Sequence, residues 1–416
     1  MIPGSAVYHV VEAMAPLYTA AVLGYASVRW LKAFSDEQCA GINHFVALYA
    51  VPVLIFHMVS TNDPYHMNER LIAADTLHKA VMLLALTAWA LWAVFRRRRG
   101  DEKEAAPPPL KWVVTNFSVA SLPNTIIMGV PLLNGMYGPV SGGLMKQIVV
   151  MQFCIWYNVV IFLYEFMAAR DDGAKISPES PVAVVEKSAR DQNGGDVSAE
   201  GSRYEVAVNI EITEVASAAP SSTAQDSVDV ADTTAVAKEV STGVTMEVSR
   251  PAAPAVMHVV WMAGKKLLKI PNTYASFLGL IWSLIAFKAD IKMPKIIDNS
   301  LFIIYTTAVG LSMFASGTFI ARQSRFVPCG YKVASLSMVL KFLIGPVVML
   351  LASLAIGMHG TLLHIAVVQA ALPLAVTSFV YAEEYKVHAD IMSTGVILGI
   401  FISLPVTIVY YILLGQ

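Results

Sequence analysis

The sequence carries little charge for its length. Of its 416 residues only 14% are charged and 56% are hydrophobic, whereas soluble domains carry about a quarter charged residues. Lys and Arg number 29 and Asp and Glu 30, which gives a formal net charge of -1. The sequence lacks the excess of basic residues that would favour a nucleic-acid partner. The composition excludes an ordinary soluble domain and indicates an integral membrane protein.

Cysteine and catalytic motifs are scarce as well. Cys39, Cys154 and Cys329 are far apart and form no C-x-x-C pair, which argues against a disulfide framework and a zinc site. There is no G-x-S-x-G, no H-E-x-x-H and no pair of intramembrane aspartates. We therefore assign no catalytic residue, expect no metal or cofactor, and regard an intramembrane enzyme as the weaker hypothesis.

Apolar stretches, by contrast, are long and numerous. Their length is that of a helix crossing the hydrocarbon core. The first begins without a basic segment and carries Glu12, so it is predicted to be a span and not a cleaved signal peptide. The fold class predicted is an all-α polytopic membrane protein with ten transmembrane helices, called spans one to ten. They lie near 7–28, 42–60, 71–95, 113–135, 144–168, 272–288, 299–321, 331–356, 361–381 and 391–414.

A polar segment separates the first five spans from the last five. Residues 171–256 are rich in Ser, Thr, Ala, Val, Asp and Glu, with Tyr204 as their only aromatic residue. Such a segment buries too little surface to order itself, so we predict a disordered loop. The alternative is a small β domain around 204–215, where the sequence alternates. The chain thus divides into a first five-helix repeat at 1–170, the loop, and a second repeat at 257–416.

Basic residues in the short loops predict the orientation. If the N-terminus is non-cytosolic, the run Arg96–Arg99, Lys265, Lys266 and Arg322 all fall on the cytosolic side. Both termini are then non-cytosolic and the long loop is cytosolic. The run Arg96–Arg99 is interpreted as a topology anchor, with binding to membrane lipid headgroups as the alternative.

The two halves resemble each other. Pro16 precedes Leu-Gly by the same interval as Pro271, and the SLP of Ser121–Pro123 corresponds to the ALP of Ala371–Pro373. Because each half has an odd number of spans, the second half crosses the membrane in the opposite sense. This is an inverted repeat, as in many secondary carriers.

Prolines interrupt spans four and nine at matching points. Pro123 removes a backbone hydrogen bond in mid-span, and irregular backbone at that depth is tolerated only beside protein or a cavity. A simple kink is the alternative reading, which the second break at Pro373 disfavours. A broken helix presents free N–H groups to an anion, and Asn124 and Thr125 add donors. The sequence thus predicts a small-anion site near mid-membrane.

Several long stretches resemble the PIN-FORMED auxin efflux carriers of plants. They include LPNTIIMGVPLLNGMYG, IPNTYASFLGLIWSLIAFK and STGVILGIFISLPVTIVYYILLG, and the resemblance covers nearly all of both membrane halves but not the loop. It implies a ten-helix fold shared with bile-acid carriers, in which spans four and nine cross at their proline breaks. It further implies homodimers and elevator-type export of indole-3-acetic acid without sodium or proton coupling.

The resemblance also implies roles for individual residues. Asn124 corresponds to the carboxylate-binding asparagine and Asn272 to a second asparagine, with Pro123 and Pro373 as the crossover prolines. Asp75 and Lys79 correspond to a support site, where related carriers hold sodium. Further substrate-binding positions are Val51, Ile55, Ile127, Gln152, Tyr157 and Val376.

Purely structural roles are the alternatives for several of these residues. Asp75 and Lys79 are four residues apart, so they share a helix face and can form a structural ion pair, or a proton relay with His78. Asn272 can cap span six, and Tyr157 can be a packing aromatic.

Two departures bear on ligand range. Family members commonly have serine at Ile55 and Gln-Gly-Ile-Val-Pro at 374–378, where this chain has Leu-Ala-Val-Thr-Ser. The loop is shorter than in long-looped plasma-membrane members and longer than in those of the endoplasmic reticulum. It lacks the threonine-proline-arginine-x-serine phosphorylation motif, although kinases acting on it are possible partners.

The function predicted is therefore efflux of the auxin indole-3-acetate. Its site combines amides and half-helix ends for the carboxylate with apolar residues for the ring. We expect an integral membrane location, the plasma membrane before the endoplasmic reticulum. The alternatives are a channel and a proton- or sodium-coupled carrier of another small organic anion.

Overall fold

Helices are the only extended regular elements among the described residues, so the all-helical prediction is confirmed for them. The structure, a computed structural model, describes residues 4–99, 109–175 and 256–415. The predicted loop and its β-domain alternative lie outside these residues, apart from helical turns at either end of the loop. The helices are α1 (Gly4–Arg29), α2 (Asp36–Phe45), α3 (Val51–Ser60), α4 (Glu69–Arg99), α5 (Pro109–Ser121), α6 (Val130–Tyr137), α7 (Pro139–Met151), α8 (Tyr157–Lys175), α9 (Val256–Leu267), α10 (Pro271–Ala289), α11 (Lys295–Arg322), α12 (Tyr331–Val339), α13 (Gly345–Ala355), α14 (Gly360–Ala370), α15 (Val376–Glu384) and α16 (Ala389–Leu414).

Six helical segments of the described chain are long and apolar enough to cross a membrane. The predicted spans one and six correspond to α1 and α10. Spans four and nine are each divided into two short helices, which is why neither counts as one continuous apolar helix. The ten-span inverted repeat therefore stays a prediction. The six segments are Asp36–Ser60, Glu69–Arg96, Pro139–Ala169, Lys295–Arg322, Tyr331–Ala355 and Ala389–Leu414.

Four one-turn π-helices lie directly before α3, α6, α8 and α13. They are closed by bonds from residue i+5 to residue i, such as the Val51 N–H to the Val46 carbonyl. Such turns widen a helix locally and occur frequently at functional sites. They occupy Val46–Ala50, Thr125–Gly129, Gln152–Trp156 and Leu340–Ile344.

The core consists of two clusters of buried apolar side chains. One contains residues of α1, α6, α14 and α16, together with Leu374 in the second proline break. The other contains residues of α3, α5 and α8, together with Leu122 in the first break. Ile127 and Val130 pack against both clusters. The two proline breaks thus lie where the clusters adjoin.

Two glycines bring α1 and α11 into close contact. A Cβ atom at Gly24 would meet the Phe314 carbonyl oxygen, and one at Gly317 would meet the Ala21 carbonyl oxygen. Small residues at a helix crossing let the backbones approach, which is the main source of packing between helices in lipid.

We expect Gly317→Ala to push α1 and α11 apart and to lower the free energy of unfolding by about 1–3 kcal/mol, because the added methyl group meets backbone that cannot rotate away. The measurement is the melting temperature of the purified protein. Gly310→Ala is the matched control, since a Cβ there has nothing within 4 Å. Equal melting temperatures for the two variants would contradict the role given to Gly317.

Candidate functional site

The two proline breaks lie side by side. The Asn124 N–H donates to the Pro373 carbonyl at 2.8 Å, and the Ala375 N–H donates to the Leu122 carbonyl at 3.2 Å. Pro123 and Leu374 thereby form an antiparallel pair of the kind found in β-sheets. The backbone groups that the prolines release from the helices are therefore partly satisfied by the opposite break.

Gln152, the first residue of the π-helical turn after α7, supports the first break. Its Nε2 donates to the Pro123 carbonyl at 2.8 Å, and its Oε1 accepts from the Thr125 hydroxyl at 3.1 Å. The Thr125 N–H also donates to the Pro123 carbonyl, at 2.9 Å. Gln152 thus holds the backbone of the break, a contact different from the lining role that the sequence suggested.

Gln152→Leu should lower both the melting temperature and the transport rate. The substitution keeps the bulk but removes the amide donor to the Pro123 carbonyl and leaves the Thr125 hydroxyl only its longer bond to that carbonyl, at 3.4 Å, at a cost of about 1–3 kcal/mol. Gln323→Leu, just after α11, serves as the control because the described chain gives its side chain no hydrogen bond. Wild-type behaviour of Gln152→Leu would remove Gln152 from the site.

Asn124 is buried, yet its side-chain amide has no hydrogen-bond partner among the described residues. It is 6% exposed and adopts φ -76° and ψ 68°, outside the helical region. Its own carbonyl accepts from the Gly129 N–H at 3.0 Å. The amide therefore offers free donors at the point where the breaks meet.

The N-terminus of α15 also offers donors. Ala375 precedes the helix in extended conformation, and no side chain caps the first turn. The first N–H groups of a helix have no intrahelical acceptor, and the helix dipole adds partial positive charge there. This end begins immediately after the contact with the opposite break, so unpaired hydrogen-bond donors from both halves lie close together there.

Asn272 contacts span nine instead of capping α10. Its Nδ2 donates to the Tyr381 hydroxyl at 3.4 Å, and its Oδ1 is buried without a partner among the described residues. The Tyr157 hydroxyl lies 3.4 Å from the Ser378 hydroxyl, and the rings of Tyr157 and Tyr381 meet edge to face at 6.1 Å. Sequence analysis missed Tyr381 and gave Ser378 no site role; both follow the second break on α15.

The apolar positions differ in how tightly they are packed. Ile55 is fully buried in the second cluster. Val51 and Ile127 are half-buried against the same cluster, and Val376 is half-buried against the first. Val51, Ile127 and Val376 therefore retain surface for a ligand, whereas Ile55 belongs to the core.

The predicted support site contains a third residue. Lys79 forms an ion pair with Asp75, and both are fully buried. Gln369 on α14 donates from Nε2 to Asp75 Oδ1 at 3.2 Å, and Lys79 Nζ lies 6.0 Å from the centre of the Trp156 ring. Sequence analysis missed Gln369, whose only signal was its place four residues before Pro373.

Neither a relay nor a metal site is apparent beside this pair. The His78 Nε2 atom has no partner among the described residues. No group of three His, Cys, Asp or Glu side chains in the described ranges is arranged to hold a metal ion.

Polar contacts join the middle of α8 to the end of α9 and to the turn after α15. Glu165 accepts from the Tyr385 hydroxyl at 2.7 Å and from Lys266 Nζ at 3.1 Å. In the turn after α15, His388 lies 2.9 Å from the Thr115 hydroxyl, and burial together with the positive charge of Lys111 lowers the pKa of its imidazole. All these groups belong to the face predicted to be cytosolic.

Comparison with known proteins extends these observations. A family model described as membrane transport protein matches residues 9–411. The chain is 74% identical over 432 aligned residues to a probable auxin efflux carrier component 9 of Oryza sativa subsp. japonica, with both chains fully covered. The chain belongs to the PIN-FORMED auxin efflux carrier family. It is 36% identical to auxin efflux carrier component 8 of Arabidopsis thaliana, with 98% of each chain covered.

Membership of this family confirms the resemblance found in the sequence. It also confirms that the protein is an integral membrane protein of a transport family. The matches cover both helical halves of the chain.

Proposed function

We propose that the protein exports indole-3-acetate, and that the carboxylate binds at the crossing of the two broken spans. The observation that carries the proposal is the buried, unpaired amide of Asn124 beside the uncapped start of α15. The curated relatives named as auxin efflux carriers support the choice of substrate.

Amides and helix ends suit a cargo that must be released. They stabilise a carboxylate by dipoles without a fixed counter-charge, so binding is weaker than in an arginine pair. The half-buried Val51, Ile127 and Val376 supply apolar surface for the indole ring, while Asn272 and Tyr381 supply further polar groups. The site thus matches both parts of an aromatic carboxylate.

The proposed cycle is an elevator movement without ion coupling. The amine of Lys79 takes the place of a bound cation next to Asp75, and a permanent internal cation needs no sodium from solution. A homodimer in the plasma membrane is the form that we expect, with lipid around it and the long loop open to kinases.

A proton- or sodium-coupled carrier of another organic anion is the second candidate. It is favoured by Asp75, a buried carboxylate that would release Lys79 and Gln369 if protonated.

Flux in proteoliposomes decides between the two. Labelled indole-3-acetate should be exported down its own gradient, with benzoate as a competitor. The rate should respond to membrane potential and stay constant when a sodium gradient or a pH gradient is imposed, once the fraction of ionised substrate is corrected for. A requirement for either gradient would establish the coupled carrier, and absence of indole-3-acetate flux would refute the substrate.

A further inference from the structure

A lysine in span eight has no counter-ion in the part of the chain that the structure describes. Lys341 belongs to the π-helical turn Leu340–Ile344 and is 1% exposed. Its Nζ atom has no hydrogen-bond partner among the described residues. An ammonium group taken out of water loses several kcal/mol of hydration free energy unless another group compensates it.

The nearby carboxylate is already engaged. One oxygen of Asp75 pairs with Lys79, and the other accepts from Gln369. Lys341 lies within electrostatic reach of Lys79 and His78. When both lysines are protonated, they and the one carboxylate leave one positive charge in excess at this place.

Unpaired donors occur on α5, which packs against the π-helical turn that carries this lysine. The buried hydroxyls of Ser118 and Ser121 have no hydrogen-bond partner in the described chain. Unpaired hydroxyls and an ammonium group are the donors that a buried anion requires.

The space between these helices is narrow. A Cβ atom at Gly345 would lie 3.0 Å from the Ala120 carbonyl oxygen, so α5 and α13 are nearly in backbone contact. The ligand must therefore be small.

Comparison of the two five-helix repeats indicates which group Lys341 lacks. Lys79 and Lys341 are the buried lysines of the third span in each half. Asp75 precedes Lys79 by four residues, whereas Ser337 precedes Lys341 by four. The second lysine thus lacks the carboxylate that its counterpart has in the first half.

We propose that Lys341 is the centre of a buried binding site for a small inorganic monoanion, with chloride as the probe, separate from the site at the crossing. The anion supplies the negative charge that Asp75 supplies to Lys79. It stabilises the contact of α5 with α13, next to the first proline break.

The test compares chloride with gluconate at equal ionic strength, using the purified full-length protein without auxin. Chloride should raise the melting temperature in a saturable way, as expected for a ligand that binds only the folded state. Radioactive chloride should bind with the same concentration dependence.

Lys341→Met should abolish both chloride effects. Its melting temperature in gluconate should equal or exceed that of the wild type, because no uncompensated charge remains. Lys332→Gln, an exposed lysine on α12, is the control and should keep both effects.

Three results would overturn the proposal. The first is a wild-type protein that binds no chloride, which would mean a neutral amine. The second is Lys341→Met that still binds it. The third is displacement of chloride by indole-3-acetate, which would place the anion at the crossing. No transport is measured, so these results leave the proposed export untouched.

Discussion

Asn124→Ala should reduce the efficiency of indole-3-acetate export roughly 10- to 100-fold. A hydrogen bond from a neutral donor to a charged group contributes about 1.5–3 kcal/mol, and each 1.4 kcal/mol corresponds to a factor of ten. The side-chain amide makes no hydrogen bond in the described chain, so its removal should cost little stability. The measurement is initial efflux from proteoliposomes over a range of substrate concentrations.

Asn124→Asp sharpens this test. It keeps the shape but replaces a donor by a carboxylate, which repels the substrate anion, so export should be lost more completely than with alanine. Asn299→Ala, on the exposed first turn of α11, is the matched control and should transport normally. Wild-type efflux by either Asn124 variant, with normal amounts of folded protein, would refute the assigned anchor.

Lys79→Gln should have the largest effect on stability. Removing one partner of a buried ion pair costs about 3–5 kcal/mol, because the remaining charge is left without compensation. Here the Asp75 carboxylate would lose its counter-charge and keep only neutral donors such as Gln369. We expect a strong fall in melting temperature together with loss of export.

The double variant Asp75→Asn and Lys79→Gln separates structure from function. It removes both charges and keeps amides able to bond to each other, so the melting temperature should recover. Export should stay low if Lys79 acts as the internal cation of the cycle. Recovery of export along with stability would assign the pair a purely structural role.

The sequence was sufficient for features that are local in the chain. Pro123 and Asn124, together with the matching break at Pro373, predicted broken helices, since proline removes a helical hydrogen bond and asparagine is costly in hydrocarbon. The long apolar stretches likewise predicted most helices. The sequence did not reveal contacts between distant segments, such as those of Gln152 with the Pro123 carbonyl and of Gln369 with Asp75. A single sequence does not give the register between helices.

Lys341 was overlooked for a different reason. It stands in the apolar run LSMVLKFLIGP, where a long lysine side chain can reach a membrane surface. The structure instead places it among buried side chains. An ionisable residue within a span was the signal available, and its position inside the span did not show which way it turns.

The antiparallel pairing of Pro123 with Leu374 has a consequence for how such a carrier can change. Two main-chain hydrogen bonds join the halves there, and replacing side chains does not remove main-chain groups. Side chains around the crossing can thus be replaced to accept a larger, smaller or differently substituted acid, while the main-chain hydrogen bonds between the two breaks remain. Selectivity and scaffold are separable in the proposed site, so Val51, Ile127 and Val376 are the positions at which we propose to change its substrate range.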